Sequence, residues 1–341
     1  MLKSGDDDYF ELGSVVESSE LFGYGKIPYR VLGRWSYPAS RIYKIRISGD
    51  DLSVVFVKLL NRNEDEIRKH QNLIQNEYRA LKLMHERNTE AHGVVEPLEY
   101  VKERLALITK SMEGVRLDHT LLRLRPFGKK DLRGLENALV SVGKWLRCFH
   151  ETTKSEETKC DVGRKVLDEI ESGLKTLRHY GEKGEWEELS KTLPDYVGDL
   201  VRSDNGLTLK ESLCHGDFIP GNILLSKAGK ITVIDFTDSR RGMIYEDLAR
   251  FWQWIDELRI RRPIQKEGNI ERMESSLLRG FFGEEIPPGM IISFLIKGNV
   301  ETMAKLSCMK SGTLLGDLRI KRRMGYYKKG LLMMTQGQYL A

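Results

Sequence analysis

At 341 residues, with 40% hydrophobic and 31% charged side chains, the chain has the composition of a globular protein able to bury a large core, in one domain or two. Its net charge of +5 is modest and spread along the sequence, which gives no reason to expect a nucleic-acid partner. The four cysteines, Cys148, Cys160, Cys214 and Cys308, are widely spaced with no CxxC pair, so reduced thiols in a cytoplasmic protein are expected and a zinc site is not.

Residues 1–25 are polar and glycine-rich and read as an irregular N-terminal arm; the opening MLKSGDDDYF is acidic and does not read as a signal peptide. Three β-rich runs follow, at 29–35, 41–47 and 52–60, the last two separated by the turn Gly49-Asp50-Asp51. In VVFVKLL, alternation puts Val55, Val57 and Leu59 on one face and Phe56, Lys58 and Leu60 on the other. A lysine among apolar neighbours either snorkels from an edge or has a partner. The next segment, 64–87, is helical, with Ile67, Ile74, Tyr78 and Leu81 as its apolar stripe. Glu77 falls inside that stripe, where a carboxylate needs a cation. Each residue alone reads as structural; together they predict a Lys58–Glu77 ion pair.

Two more strands are expected at 94–101 and 105–109, followed by Lys110-Ser111-Met112-Glu113-Gly114. The remainder is mostly helical. Residues 131–151 carry Leu132, Leu135, Leu139, Val142, Leu146 and Phe149 on one stripe, with Asp131 as N-cap and His150 as a structural histidine. Amphipathic helices are expected at 165–180 and 186–202, and a strand at 209–213. The apolar run 290–296 is far short of a bilayer span, so no transmembrane segment is expected.

The densest chemistry lies in 213–236, LCHGDFIPGNILLSKAGKITVIDF. Runs NILL and ITVI flank Lys227-Ala228-Gly229-Lys230, a hairpin signal. With Ser226 opposite Ile231, Asn222 falls opposite Asp235 and both side chains share a face. An amide oxygen beside a carboxylate suits Mg²⁺. Asp217 sits five residues before Asn222, in a loop held by Gly216, Pro220 and Gly221. The order base Asp, then Asn and a second Asp on the metal, is that of phosphoryl transfer in kinases. The plainer alternative is a glycine-rich turn between core strands, capped by Asp217 and Asn222.

His215-Gly216-Asp217, Asn222 and Ile234-Asp235-Phe236 together resemble the aminoglycoside phosphotransferase and choline kinase family. The resemblance implies an α+β, bilobal protein-kinase-like fold with a small β-rich N-lobe (26–110), a hinge (111–114) and a larger, mainly helical C-lobe (115–341). It implies ATP and Mg²⁺ as cofactors, with Asp217 as the catalytic base and Asn222 and Asp235 as metal ligands. Lys58, set by Glu77, would grip the nucleotide phosphates. Ser36 and Ser40, in the loop between the first two strands, would cover them, although the family's glycine-rich loop is missing there. The backbone of Ser111, Met112 and Glu113 would hold adenine. Asp247, in an Asp-Leu-Ala step, would brace the catalytic loop. Two departures stand out: Thr237 follows Asp235-Phe236 where protein kinases have glycine, and Ile219 stands where a basic or polar residue is common.

A small-molecule kinase with a hydroxyl acceptor is therefore expected, its oligomeric state open. A protein kinase fits less well because 236–250 contain no Ala-Pro-Glu step. The other rival is a nucleotide-binding pseudokinase acting as a partner protein. Tyr245, Arg250, Trp252, Trp254, Asp256 and Glu257 are expected around the acceptor. The arginines after Asp235 (Arg240, Arg241, Arg250, Arg259, Arg261, Arg262) outnumber the acids there. A neutral or anionic acceptor follows from that excess, such as a sugar, nucleoside or phosphorylated metabolite.

Overall fold

In the computed structural model the described residues are 6–25, 27–37, 40–48, 54–60, 67–87, 93–123, 129–154, 162–181, 184–203, 211–262, 267–284, 289–309 and 312–336. They form an antiparallel sheet in the N-terminal part and a helical C-terminal part, a mixed α+β fold. Two compact units result. The first contains Met1–Thr120, His215–Asp217 and Gly221–Arg240; the second contains Leu121–Cys214, Phe218–Pro220 and Arg241–Ala341.

The first unit is built on five strands: β1 (Tyr29–Ser36), β2 (Ser40–Ile47), β3 (Val54–Leu60), β4 (Pro97–Val101) and β5 (Ala106–Lys110), in spatial order β1-β2-β3-β5-β4. Alternation works as the sequence predicts: Val55, Val57 and Leu59 are buried with Tyr43, Ile45, Ile47, Ala106 and Ile108. Lys58 faces the other way, opposite Ile42 on β2 and Leu107 on β5. The turn expected at 49–51 lies outside the described residues.

The irregular arm expected at 1–25 is corrected: it contains helix α1 (Asp6–Glu17). Leu12, Val15 and Val16, at helical spacing, are buried against the sheet core. Burying each contributes roughly 1.5–3 kcal/mol, enough to order a helix whose composition does not advertise one. Helix α2 (Ile67–Glu86) buries Ile74, Leu81 and Met84, and with them Glu77. The unit also holds a small sheet of β6 (Val115–Arg116), β8 (Ile223–Leu225) and β9 (Ile231–Val233). Short helix α3 (Leu117–Arg123) leads out of it.

The second unit centres on α4 (Lys129–Thr153), which packs against α9 (Glu267–Phe282). Its predicted stripe is buried, from Leu132 to Phe149. The helix begins two residues before Asp131, so that residue lies in the first turn and is not the N-cap. Around it run α5 (Val162–Tyr180), α6 (Glu187–Ser203), α7 (Ile244–Asp256), α8 (Leu258–Arg261), α10 (Met290–Ser307) and α11 (Leu314–Thr335). Strands β7 (Glu211–Cys214) and β10 (Arg240–Met243) pair with each other. The apolar run at 290–296 forms the first half of α10, buried almost all round. The last helix packs through Tyr327, Leu331 and Met334. Among the described residues no helix is long and apolar enough to cross a membrane.

Candidate active site

The hairpin at 222–235 forms, but its register differs from expectation by one residue. Leu225 pairs with Ile231 and Ile223 with Val233; the Ile234 N–H reaches the Asn222 carbonyl at 3.0 Å. Asn222 therefore lies across from Ile234, not Asp235. The turn is the cause. The Ser226 N–H bonds to the Lys230 carbonyl, and Gly229 adopts a left-handed φ of 79°. Three residues form the loop where four were expected, the left-handed glycine making a bulge. One slipped residue would turn Asp235 to the opposite face. The chain restores it by leaving the strand: Asp235 itself has φ 66°, a conformation costing a non-glycine residue about 1–3 kcal/mol.

Asp235 thereby reaches Lys58. The lysine Nζ donates to Asp235 Oδ1 at 2.7 Å, to Glu77 Oε2 at 2.8 Å and to Thr237 Oγ1 at 2.5 Å. The predicted Lys58–Glu77 pair is formed, and the Lys58 and Glu77 side chains are 12% and 4% exposed. Burial pulls the Lys58 pKa down, but the charges of Glu77 and Asp235 overcome it and hold the ammonium above the usual lysine range. Burial likewise pushes Asp235 up, and Lys58, the Thr237 hydroxyl and His215 pull its carboxyl below the usual range. Thr237 completes the cluster, its Oγ1 lying 2.7 Å from Asp235 Oδ1 and 2.9 Å from Glu77 Oε2. Sequence reasoning saw Thr237 only as a missing glycine. The available signal was a hydroxyl two residues after a carboxylate, a local hydrogen-bonding pattern.

The loop that carries Asp217 is held by its neighbours. His215 is fully buried, donates from Nε2 to the Ile234 carbonyl at 3.0 Å and lies against the Phe236 ring. Gly216 has φ 83°, and a Cβ there would come within 2.1 Å of the Asp238 carbonyl, so no other residue fits. Asn222 turns its amide nitrogen onto Asp217, donating to its carbonyl at 2.9 Å and to Oδ2 at 3.2 Å. Phe218, the next residue after Asp217, is buried, stacked on Trp145 and tilted against Phe251.

A family model described as a phosphotransferase enzyme family matches residues 45–271, more than half the chain. The chain belongs to this phosphotransferase family. It is a small-molecule kinase, as the aminoglycoside phosphotransferase and choline kinase motif predicts. Solved structures agree in fold at low sequence identity. The choline kinase LicA from Streptococcus pneumoniae is 14% identical, with 96% of this chain and 99% of that chain covered and a TM-score of 0.55. A Plasmodium vivax ethanolamine kinase is 12% identical, with 92% and 83% covered and a TM-score of 0.54. A streptomycin–ATP–APH(2")-IIa ternary complex is 12% identical, with 94% and 97% covered and a TM-score of 0.51. A search of curated protein sequences found no match.

The phosphotransferase's donor atoms suit a hard divalent cation. With the Asn222 NH₂ spent on Asp217, its carbonyl oxygen accepts no hydrogen bond among the described residues. Asp235 uses Oδ1 for Lys58 and Thr237; Oδ2 has no partner among the described residues, and the side chain is 45% exposed. An amide oxygen and a carboxylate oxygen are what Mg²⁺ takes from protein, with water and phosphate supplying the rest. A second cluster, His150, Cys214 and Asp247, is buried and joined into hydrogen bonds. His150 Nε2 and Asp247 Oδ2 meet at 3.1 Å, and the Cys214 thiol donates to the Met243 carbonyl. Asp247, expected to brace the catalytic loop, is buried with its Oδ2 against His150 Nε2.

Other expected residues fall as follows. Ser36 ends β1 exposed, whereas Ser40 begins β2 buried; the Tyr37 N–H bonds to the Ser40 carbonyl across the connection. Ser111 donates its N–H to the Val54 carbonyl at 3.3 Å. Met112 and Glu113 follow outside any helix or strand, their backbone groups making no hydrogen bond among the described residues. Four expected acceptor residues are corrected: Tyr245, Trp252, Asp256 and Glu257 are no more than 6% exposed and belong to the core of the second unit. Two of the arginines that suggested an anionic acceptor are likewise spent on their own chain. Arg259 pairs with Asp256, Glu267 and Glu274, and Arg261 pairs with Glu257 and lies over the Trp254 ring.

Proposed function

We propose that this kinase transfers the γ-phosphate of ATP to a hydroxyl of a small molecule, with Mg²⁺ held by Asn222 and Asp235. The observation that carries the reading is the convergence of Lys58, Glu77 and Asp235, with Asn222 turned so that its amide NH₂ faces Asp217 and its carbonyl oxygen faces away. When bound, the metal supplies positive charge against the phosphate oxygens. Asp217 orients the acceptor hydroxyl and takes its proton as the acceptor oxygen bonds to the γ-phosphorus and the bond to ADP breaks. Lys58, aimed by buried Glu77, holds the phosphates of the nucleotide. The free backbone groups of Met112 and Glu113, with Ser111 anchored on β3, would meet the adenine edge, and exposed Ser36 rather than buried Ser40 would meet the phosphates. The cytoplasm is the compartment we propose, on the cysteine usage.

For the acceptor, we propose a hydroxylated small molecule, and the expectation that it is neutral or anionic keeps less support than the arginine count suggested. Arg259 and Arg261 are neutralised by carboxylates of their own chain and cannot select an anion. The test is ADP release from Mg·ATP with choline, ethanolamine, an aminoglycoside set, sugars, nucleosides and sugar phosphates. Acceptor-dependent ADP release supports the kinase reading, and the active set identifies the charge class. ATP binding with no acceptor-stimulated turnover anywhere in the panel would point to a nucleotide-binding partner protein instead.

A further inference from the structure

Lys58 has three N–H donors, and the structure uses all three: one on Glu77, one on Asp235 and one on Thr237. The ammonium is therefore saturated before any nucleotide arrives. To grip a phosphate it must release a partner. Glu77 is the costly one to abandon, since its side chain is 4% exposed and a stranded buried carboxylate is severely penalised. Asp235, with a side chain 45% exposed, is the cheap one. Releasing Asp235, however, takes away the Lys58 donor at Oδ1 and loosens the carboxylate whose other oxygen would take the proposed metal.

Thr237 stands where it repairs this. Its hydroxyl accepts from Lys58 and has one proton of its own to donate. Two carboxylate oxygens lie within reach of that proton, Asp235 Oδ1 at 2.7 Å and Glu77 Oε2 at 2.9 Å. We infer that Thr237 is a hand-over residue: it donates to Asp235 Oδ1 when Lys58 leaves for the nucleotide phosphate, so Asp235 keeps its orientation while Oδ2 stays open to the metal. Thr237 is a positioning residue and touches no reacting atom. The inference rests on the reading of Lys58 and Asp235 as nucleotide and metal contacts. In this chain the position after Asp235-Phe236 thus carries a hydroxyl with a role of its own where protein kinases have glycine.

The test uses the full chain with Thr237→Val, which keeps the branched shape and removes the hydroxyl, and Thr237→Ser, which keeps the hydroxyl. Calorimetry measures Mg·ADP affinity and metal-free ADP affinity. Thr237→Val is expected to weaken Mg·ADP binding by about tenfold, to weaken metal-free ADP much less, and to require more Mg²⁺ for half-maximal binding; Thr237→Ser restores all three. Thermal melting of each variant separates this from misfolding. Equal Mg·ADP affinity in Thr237→Val and the unaltered chain overturns the inference, and so does equal loss in the valine and serine variants. If the unaltered chain itself fails to bind Mg·ADP, the kinase reading falls and takes this inference with it. If it binds, and Asp235→Asn abolishes the metal dependence while Thr237→Val does not alter it, only the inference falls.

Discussion

Two of the buried charge clusters among the described residues have similar chemistry and opposite design. In the first unit, Lys58, Glu77, Asp235 and Thr237 meet within 2.9 Å, yet Asp235 keeps a carboxylate oxygen without a partner among the described residues and a side chain 45% exposed. In the second unit, Glu257 gives one oxygen to Arg261 and the other to Arg323 and Tyr327, and its side chain is 4% exposed. Asp256 beside it gives one oxygen to Arg259 and the other to Tyr326. The second cluster is closed, with both oxygens of each carboxylate occupied. A closed cluster has nothing left to offer a ligand and acts on stability alone. The first cluster is open at Asp235 alone, which is half-exposed and has a left-handed backbone, and the exchange of partners proposed above would take place there.

The strongest way to sharpen this contrast is Asp217→Asn beside the open cluster. It should lower kcat by about 10²–10⁴-fold while Mg·ADP affinity stays within a few-fold, because the proposed base would act on the acceptor and not on the nucleotide. Steady-state kinetics with calorimetry decide it; parallel loss of nucleotide binding would refute the role.

Next in size is Lys58→Met, which strands Glu77 and should cost about 3–5 kcal/mol in denaturant unfolding. A cycle with Glu77→Gln should recover part of that loss, whereas additive effects would mean that the pair is not coupled.

Asp235→Asn should weaken Mg·ADP binding by about 10–100-fold or more, with a smaller effect on metal-free ADP. An equal effect on both would remove Asp235 from the metal.

The smallest effect belongs to the closed cluster. Tyr327→Phe should cost about 1.5–3 kcal/mol of stability, the range for a hydrogen bond to a charged group, and leave Mg·ADP affinity unchanged. Its pH dependence has a definite sign. Burial raises the Glu257 pKa, but Arg261, Tyr327 and Arg323 outweigh burial and hold it below the ordinary 4.5. A depressed carboxylate contributes its full stability above 4.5 and loses it as pH falls through the lowered value. Wild-type stability should thus fall in acid, and the gap to Tyr327→Phe should narrow there. A gap constant with pH would show that the hydroxyl does not act through Glu257.

What was legible from the sequence was whatever depends on local period and short spacing. Alternation placed Val55, Val57 and Leu59 in the sheet core and Lys58 on the opposite face. The helical stripe from Leu132 to Phe149 identified a core helix, and the order Asp217, Asn222, Asp235 pointed to a phosphotransferase. Glu77 was legible as well, because a carboxylate inside an apolar stripe demands a cation. Tertiary structure decided the rest, wherever two nearly equal local choices were settled by distant partners. A three-residue turn was chosen over a four-residue one by the left-handed Gly229, moving the hairpin register by one. Residues 6–17 became a helix because a sheet face was available to bury Leu12, Val15 and Val16. Arg259 and Arg261 look like ligand-binding arginines in a linear count, and only folding shows that Glu274 and Glu257 neutralise them. Thr237 gained its place in the site because the turn of the backbone at Asp235 brought its hydroxyl to Lys58, across 179 residues of chain.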